Sequence, residues 1–255
     1  MARNIRITLL LFILFLVAGN AWLTKQRTTD WDQSLWVTIY PVNGDHSAAT
    51  ARYIDDLRLE LFEPVSGYLA DQAKQYGVTL ADPVLVALAP AVATLPPRPP
   101  MAGSLPAVIW WSLKFRYWAF THDTFDGSSD IRLFVTYFDP ASHRQLDHSV
   151  GLEKGMIGIV NAFADRRFAD RNKVIIVHEL LHTLGATDKY DRATDLPLFP
   201  DGYADPQATP LYPQHRAEIM GGAVPVSDTK AEMPAGLWRT MVGEKTAGEI
   251  GWLRR

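Results

Sequence analysis

The sequence predicts an α+β fold: a mixed, twisted sheet with a long helix and a second, buried helix packed on it, followed by a small C-terminal subdomain. Three observations predict it. Strand-like segments at Leu35–Tyr40, Val84–Leu88, Ile131–Phe138 and Met156–Phe163 alternate with helical patterns. A helix pattern running to about Leu184 is apolar on almost every side, which places it in the centre of the domain. After it, Thr187–Arg216 holds Pro197, Pro200, Pro206, Pro210 and Pro213 and cannot form a regular element.

Length and composition set the limits. A chain of 255 residues with 47% apolar residues forms one domain with a sizeable core. A net charge of −3 gives no reason to expect nucleic acid or an anionic membrane surface as a partner. There is no cysteine, so disulfides and thiolate metal sites are excluded.

The N-terminus predicts a membrane segment. Arg3 and Arg6 precede Ile7–Leu23, which is apolar for most of its length. At 17 residues it sits at the lower limit of a spanning helix. Residues 1–24 therefore read as an uncleaved anchor with the domain on the outer side. The alternative is a signal peptide cut near Val17–Ala21, leaving a secreted or periplasmic protein. Residues 25–34 read as a linker and 35–255 as the folded domain, with an upper lobe of about 35–185 and a lower lobe of about 186–255.

Along that domain, Leu35–Tyr40 is rich in β-branched and aromatic residues and is expected to stop at Pro41. Ser47–Tyr76 has helical periodicity through Tyr53, Ile54, Leu57, Leu61 and Phe62, with Pro64 expected to kink or interrupt it. Val84–Leu88 is continuously apolar, as in a strand buried on both faces. Leu95–Pro106 is proline-rich and irregular. Ala107–Trp111 and Phe115–Phe120 are strongly aromatic and read as core and cross-strand packing. Gly151, Gly155 and Gly158 around the last strand predict a bulge or an edge where another backbone comes close. Thr240–Leu253 has helical character.

The chemistry lies in His178-Glu179-Leu180-Leu181-His182-Thr183-Leu184-Gly185-Ala186-Thr187-Asp188. Residues four apart share a helix face, so His178 and His182 can aim at one metal ion. Glu179 lies about 100° further round, as a neighbour of the metal suited to act as general base. Gly185 lets the chain leave the helix through a left-handed turn, which can return Asp188 as a third ligand. Asp170 or Asn172 is the expected cap of this helix. His215 and Glu218 are competing ligands. His46, His122, His143 and His148 lie near turns and read as surface residues.

The pattern H-E-x-x-H-x-x-G-x-x-D resembles the metzincin zinc peptidases, and within them the snapalysin-like branch whose third ligand is aspartate. The resemblance implies a zincin-type fold, one catalytic Zn2+ held by His178, His182 and Asp188, and Glu179 as catalytic base. It also implies a methionine turn beneath the metal, for which Met220 in Ala217–Gly222 is the candidate, ahead of a terminal helix.

The function expected from these readings is a zinc-dependent endopeptidase acting outside the cytoplasm on a peptide or protein substrate. Tyr190, Tyr203 and Tyr212 on the long loop are candidate donors to the oxyanion. Activity is expected to fade in acid as His178, His182 and Asp188 take up protons. Two other classes remain: a zinc amide hydrolase of the cell envelope, and a non-catalytic envelope binding protein stabilised by zinc. Glu179 separates the last from the others, because a structural site closes its fourth position with protein and needs no base.

Overall fold

The computed structural model describes residues 30–100, 104–153 and 155–253. The expected anchor or signal segment at 1–24 lies outside the described residues, as do the first residues of the linker. The fold is a mixed α+β arrangement built on a five-stranded sheet. β1 (Leu35–Asn43), β2 (Val84–Leu88), β3 (Ile131–Phe138), β4 (Val150–Leu152) and β5 (Ile157–Phe163) lie in the order β2-β1-β3-β5-β4. All neighbours are parallel except β4, which runs antiparallel to β5 at the edge.

Side-chain alternation divides the core into two layers. Leu35, Val37 and Ile39 of β1 and Leu133 and Val135 of β3 face one side. There they meet α1 (Ala48–Asp55), α2 (Glu63–Gln75) and α4 (Ala169–Thr183). Tyr40, Val42, Phe134, Ile157 and Ile159 face the other side, under α3 (Leu105–Thr121). The parallel strands are buried on both faces, which accounts for their nearly unbroken apolar runs.

Four local expectations are corrected. β1 does not stop at Pro41 but continues to Asn43, because the pairing with β3 carries on through Val42↔Thr136 and Asn43↔Tyr137. The helical stretch after Ser47 is two helices. Their break falls at Asp56–Phe62, and Pro64 occupies the first turn of α2, where its missing N–H costs nothing. The aromatic run 107–120 is one helix and not a set of strands. Trp111, Phe115 and Ala119, four apart, press on the sheet, with Trp118 and Phe134 meeting edge-on at 4.7 Å between centroids.

The fourth correction concerns the start of α4. Neither Asp170 nor Asn172 caps it. Asn172 instead accepts from the Phe163 amide at 3.2 Å and donates to the Phe163 carbonyl at 2.9 Å, which ties the end of β5 to the first turn. At the other end of the domain, Trp31 is buried against Trp252 and its indole donates to the Ile250 carbonyl at 2.8 Å. The last residues of the expected linker are thus pinned to the C-terminal region, which holds α5 (Glu244–Glu249).

The turn after β1 gives a pH signature remote from the motif. Burial pushes the Asp45 carboxyl up, but the amides of Asp139 and Ser47, at 2.7 and 2.9 Å, outweigh this and hold its pKa below the usual value. A lowered native pKa adds stability above the unfolded pKa of about 3.9, and that stability is lost as pH falls through the native value. The difference in melting temperature between wild type and Asp45→Asn should therefore be clear at neutral pH and shrink in acid. A gap that widens in acid would contradict this account.

Candidate metal centre

α4 carries the motif because its sequence leaves it no polar side to turn outward. Val174, Ile176, Val177, Leu180 and Leu181 are all buried. The helix ends at Thr183 with Leu184 as its C-cap, and Gly185 follows at φ 102°, the left-handed conformation that favours glycine. The chain then doubles back and brings Asp188 to the histidines.

The three expected ligands converge. The Nε2 atoms of His178 and His182 are 3.1 Å apart, and Asp188 Oδ1 lies 3.3 and 2.9 Å from them. All three side chains are mostly buried, at 12, 18 and 13% exposure. The far side of each ring is fixed: His178 Nδ1 is 2.9 Å from the Ile219 carbonyl, and His182 Nδ1 is 2.8 Å from the Ala186 carbonyl. A carbonyl can only accept, so both Nδ1 atoms carry the proton. In the neutral rings each Nε2 then presents a lone pair to the other and to the carboxylate.

Three lone pairs pointing at one space repel unless a cation joins them. Asp188 Oδ1 accordingly has no hydrogen-bond partner among the described residues, while its other oxygen accepts from Arg192 Nη2 at 2.8 Å. Burial works against the charge on Asp188, while the Arg192 guanidinium bonded to this other oxygen favours it and lowers its pKa. His178, Glu179 and His182 form a group that could hold a metal ion. The donor set, two imidazoles and a carboxylate with an open side, fits a divalent metal.

Glu179 belongs to that group by distance, within 4.8 Å of the imidazole nitrogens. It is buried, its Oε2 has no partner among the described residues, and burial raises its pKa. The Gly151 amide hydrogen-bonds its carboxylate. Gly151 belongs to the edge strand β4, and a Cβ there would lie 2.5 Å from the Glu179 carbonyl oxygen and 2.6 Å from His182 Cβ. At Gly151 the glycine signal therefore marks a close backbone approach at a sheet edge.

Met220 is fully buried in the turn after Ala217–Glu218, and Ile219 supplies the carbonyl that fixes the His178 ring. Glu218 is not near the role of a ligand. Its carboxylate accepts from the amides of Met220 (2.7 Å), Gly221 (2.9 Å) and Gly243 (3.0 Å) and from Thr246 Oγ1 (2.7 Å). It clamps the turn to the start of α5. His215 lines a separate surface cavity with Asp205, Gln214 and Arg216. Tyr203 and Tyr212 bond to each other at 2.8 Å, whereas the Tyr190 ring lies 6.3 Å from that of His178. Burial and the nearby Asp188 push the Tyr190 phenol up to about 12, so it stays a proton donor.

Two supporting residues escaped the sequence reading. Lys189 is buried, and its ammonium donates to the Thr187 carbonyl at 2.9 Å and to Glu249 at 2.8 Å. Glu249 also accepts from the Thr187 amide and hydroxyl at 2.9 and 2.8 Å. The residues on either side of Asp188 are thereby fastened to α5. No sequence signal joins positions 60 residues apart; only the fold brings them together. Comparison of the chain with models of known protein families and with curated proteins returned no match.

Proposed function

We propose that this chain is a zinc-dependent endopeptidase of metzincin type, anchored at a membrane by its N-terminal segment with the catalytic domain outside the cytoplasm. The observation that carries the reading is the convergence of His178, His182 and Asp188 with a buried, unpaired Glu179 oxygen beside them. In this reading Met220 is the methionine turn.

Zinc bound by His178, His182 and Asp188 would supply a Lewis acid that polarises the scissile carbonyl and a water molecule. Glu179 takes the proton from that water as it attacks and delivers it to the departing amine nitrogen. Burial suits it to both steps, since a carboxyl with a raised pKa holds and releases a proton nearer neutral pH. The free side of β4 offers backbone groups to an extended peptide, next to Glu179 through Gly151. The Tyr190 hydroxyl is the best placed of the three tyrosines to donate to the oxyanion.

The readout is metal content together with peptide hydrolysis by the full chain. One zinc per chain, loss of hydrolysis on chelation and recovery on adding zinc are expected. Unchanged hydrolysis in fully chelated protein would sink the proposal. His182→Ala should abolish stoichiometric binding. Asp188→Asn keeps the shape but removes the charge, and should weaken zinc binding by about tenfold or more, equivalent to about 1.4 kcal/mol. Competition with a chromophoric chelator measures both; an unaltered affinity in Asp188→Asn would remove Asp188 from the ligand set.

A further inference from the structure

α3 has no polar face. One side, Trp111, Phe115 and Ala119, packs on the sheet. The other exposes Leu105, Ile109, Trp110, Leu113, Tyr117 and Phe120, with Tyr117 and Phe120 at 71 and 81% exposure. Leu105, Ile109, Leu113 and Tyr117 are spaced four apart and form one stripe, broadened by Trp110 and Phe120. A helix at the surface of a water-soluble domain normally turns charge outward, and an exposed apolar stripe of this length marks an interaction surface. From Leu105 to Thr121 the only charged residues are Lys114 and Arg116.

We propose that the outward face of α3 lies in the plane of a bilayer, at the boundary between headgroups and acyl chains. This rests on the reading of residues 1–24 as a membrane segment. The composition fits: aromatic and aliphatic side chains for the acyl region, Trp110 and Tyr117 for the interface, and the exposed Lys114 for the headgroups. The Lys114 ammonium already sits 5.4 Å from the Trp110 ring centroid.

The path of the chain brings the helix to the membrane. Residues 24–30 are the only link between the apolar segment and Trp31, which is fixed in the domain. Seven residues reach at most about 25 Å. They end at Trp31, packed in the layer opposite α3, four residues before β1, whose Trp36 is exposed on the α3 face of the sheet. The Trp36 amide donates to the Asp130 carboxylate at 3.0 Å, and the Asp130 amide donates to the Trp36 carbonyl at 2.9 Å. Two residues on, Arg132 pairs with Asp123, just past the end of α3, at 2.6 Å. The tether thus joins the domain at the same end of the sheet as the C-terminal end of α3. Among the described residues no helix is long and apolar enough to cross a membrane, and the sheet occupies one side of α3, so it lies along the surface. The contact would fix how the metal centre faces the bilayer.

The absence of cysteine permits a direct test. Spin labels are placed on the full chain through Ile109→Cys, Leu113→Cys or Tyr117→Cys, with Glu60→Cys and Lys74→Cys as controls, both exposed on the opposite side of the sheet. The protein is reconstituted into vesicles of phosphatidylcholine and phosphatidylglycerol. Collision with oxygen, relative to a water-soluble nickel complex, should be about fivefold higher for the α3 labels than for the controls. Flotation with the vesicles and α3 labels as open to nickel as the controls would overturn the inference and leave the anchor standing. Exclusion of both reagents from α3 would assign the face to a second copy or to another segment of the chain, and would also overturn it. A full chain that fails to float would remove the anchor and the α3 contact together.

Discussion

Glu179→Gln should leave the zinc site loaded and lower peptide hydrolysis by about 10²–10⁴-fold, the range associated with a positioned general base. The amide fills the same volume, and in the proposed reading the ligands are His178, His182 and Asp188, so zinc content and melting temperature should stay near wild type. Glutamine even removes a buried carboxylate oxygen that has no hydrogen-bond partner among the described residues. What it cannot do is take a proton from water and return it to a leaving nitrogen. Zinc content by elemental analysis and peptide turnover on the same sample decide the matter. Equal turnover in variant and wild type would reject Glu179 as the base. Loss of zinc with loss of turnover would make Glu179 part of the binding set, and the mechanism would have to change.

Glu218→Ala should cost about 3–5 kcal/mol of folding stability and weaken metal binding as well. The side chain is fully buried and all four of its close partners are donors: three backbone amides and the Thr246 hydroxyl. Truncation leaves these donors without an acceptor in a site closed to water, which is more costly than losing the bonds alone. Burial raises the Glu218 pKa, so the pocket works against the charge even as the donors favour it. Glu218→Gln should lose less. Its oxygen can keep the Met220 and Gly221 amides, and the Thr246 hydroxyl can rotate to accept from the new NH2, leaving only Gly243 unserved. Denaturant unfolding should rank wild type above Glu218→Gln above Glu218→Ala. The coupling to the metal runs through Ile219, whose carbonyl fixes the His178 ring. An alanine variant as stable as wild type would show that the turn is held by something other than this clamp.

The sequence was most informative where the pattern is local. Four-residue spacing on a helix puts His178 and His182 on one face whatever surrounds them. Gly185 marks the left-handed exit because side-chain-bearing residues are disfavoured there. The strands of the central sheet were legible because burial on both faces leaves apolar runs with little ambiguity. The 107–120 segment was misread for a related reason: a helix apolar on every side carries no 3.6-residue contrast, so its period cannot be read, and its aromatic content resembles strand. Pro41 was misread because a proline stops a strand only where its missing N–H is needed.

Tertiary structure alone decided the rest. Glu218 follows the motif by 30 residues and is a ligand type, yet in the fold its carboxylate is taken up by four donors. Lys189, Thr187 and Glu249 hold the Asp188 loop through bonds between segments 60 residues apart, which no spacing rule foresees. The Nδ1 partners of both histidines are backbone carbonyls, and a carbonyl's direction is fixed by the path of the chain, not by the identity of its residue. By itself the sequence determined which atoms can meet a metal ion. The fold determined which ring nitrogen of each histidine keeps its proton, and so where the lone pairs point.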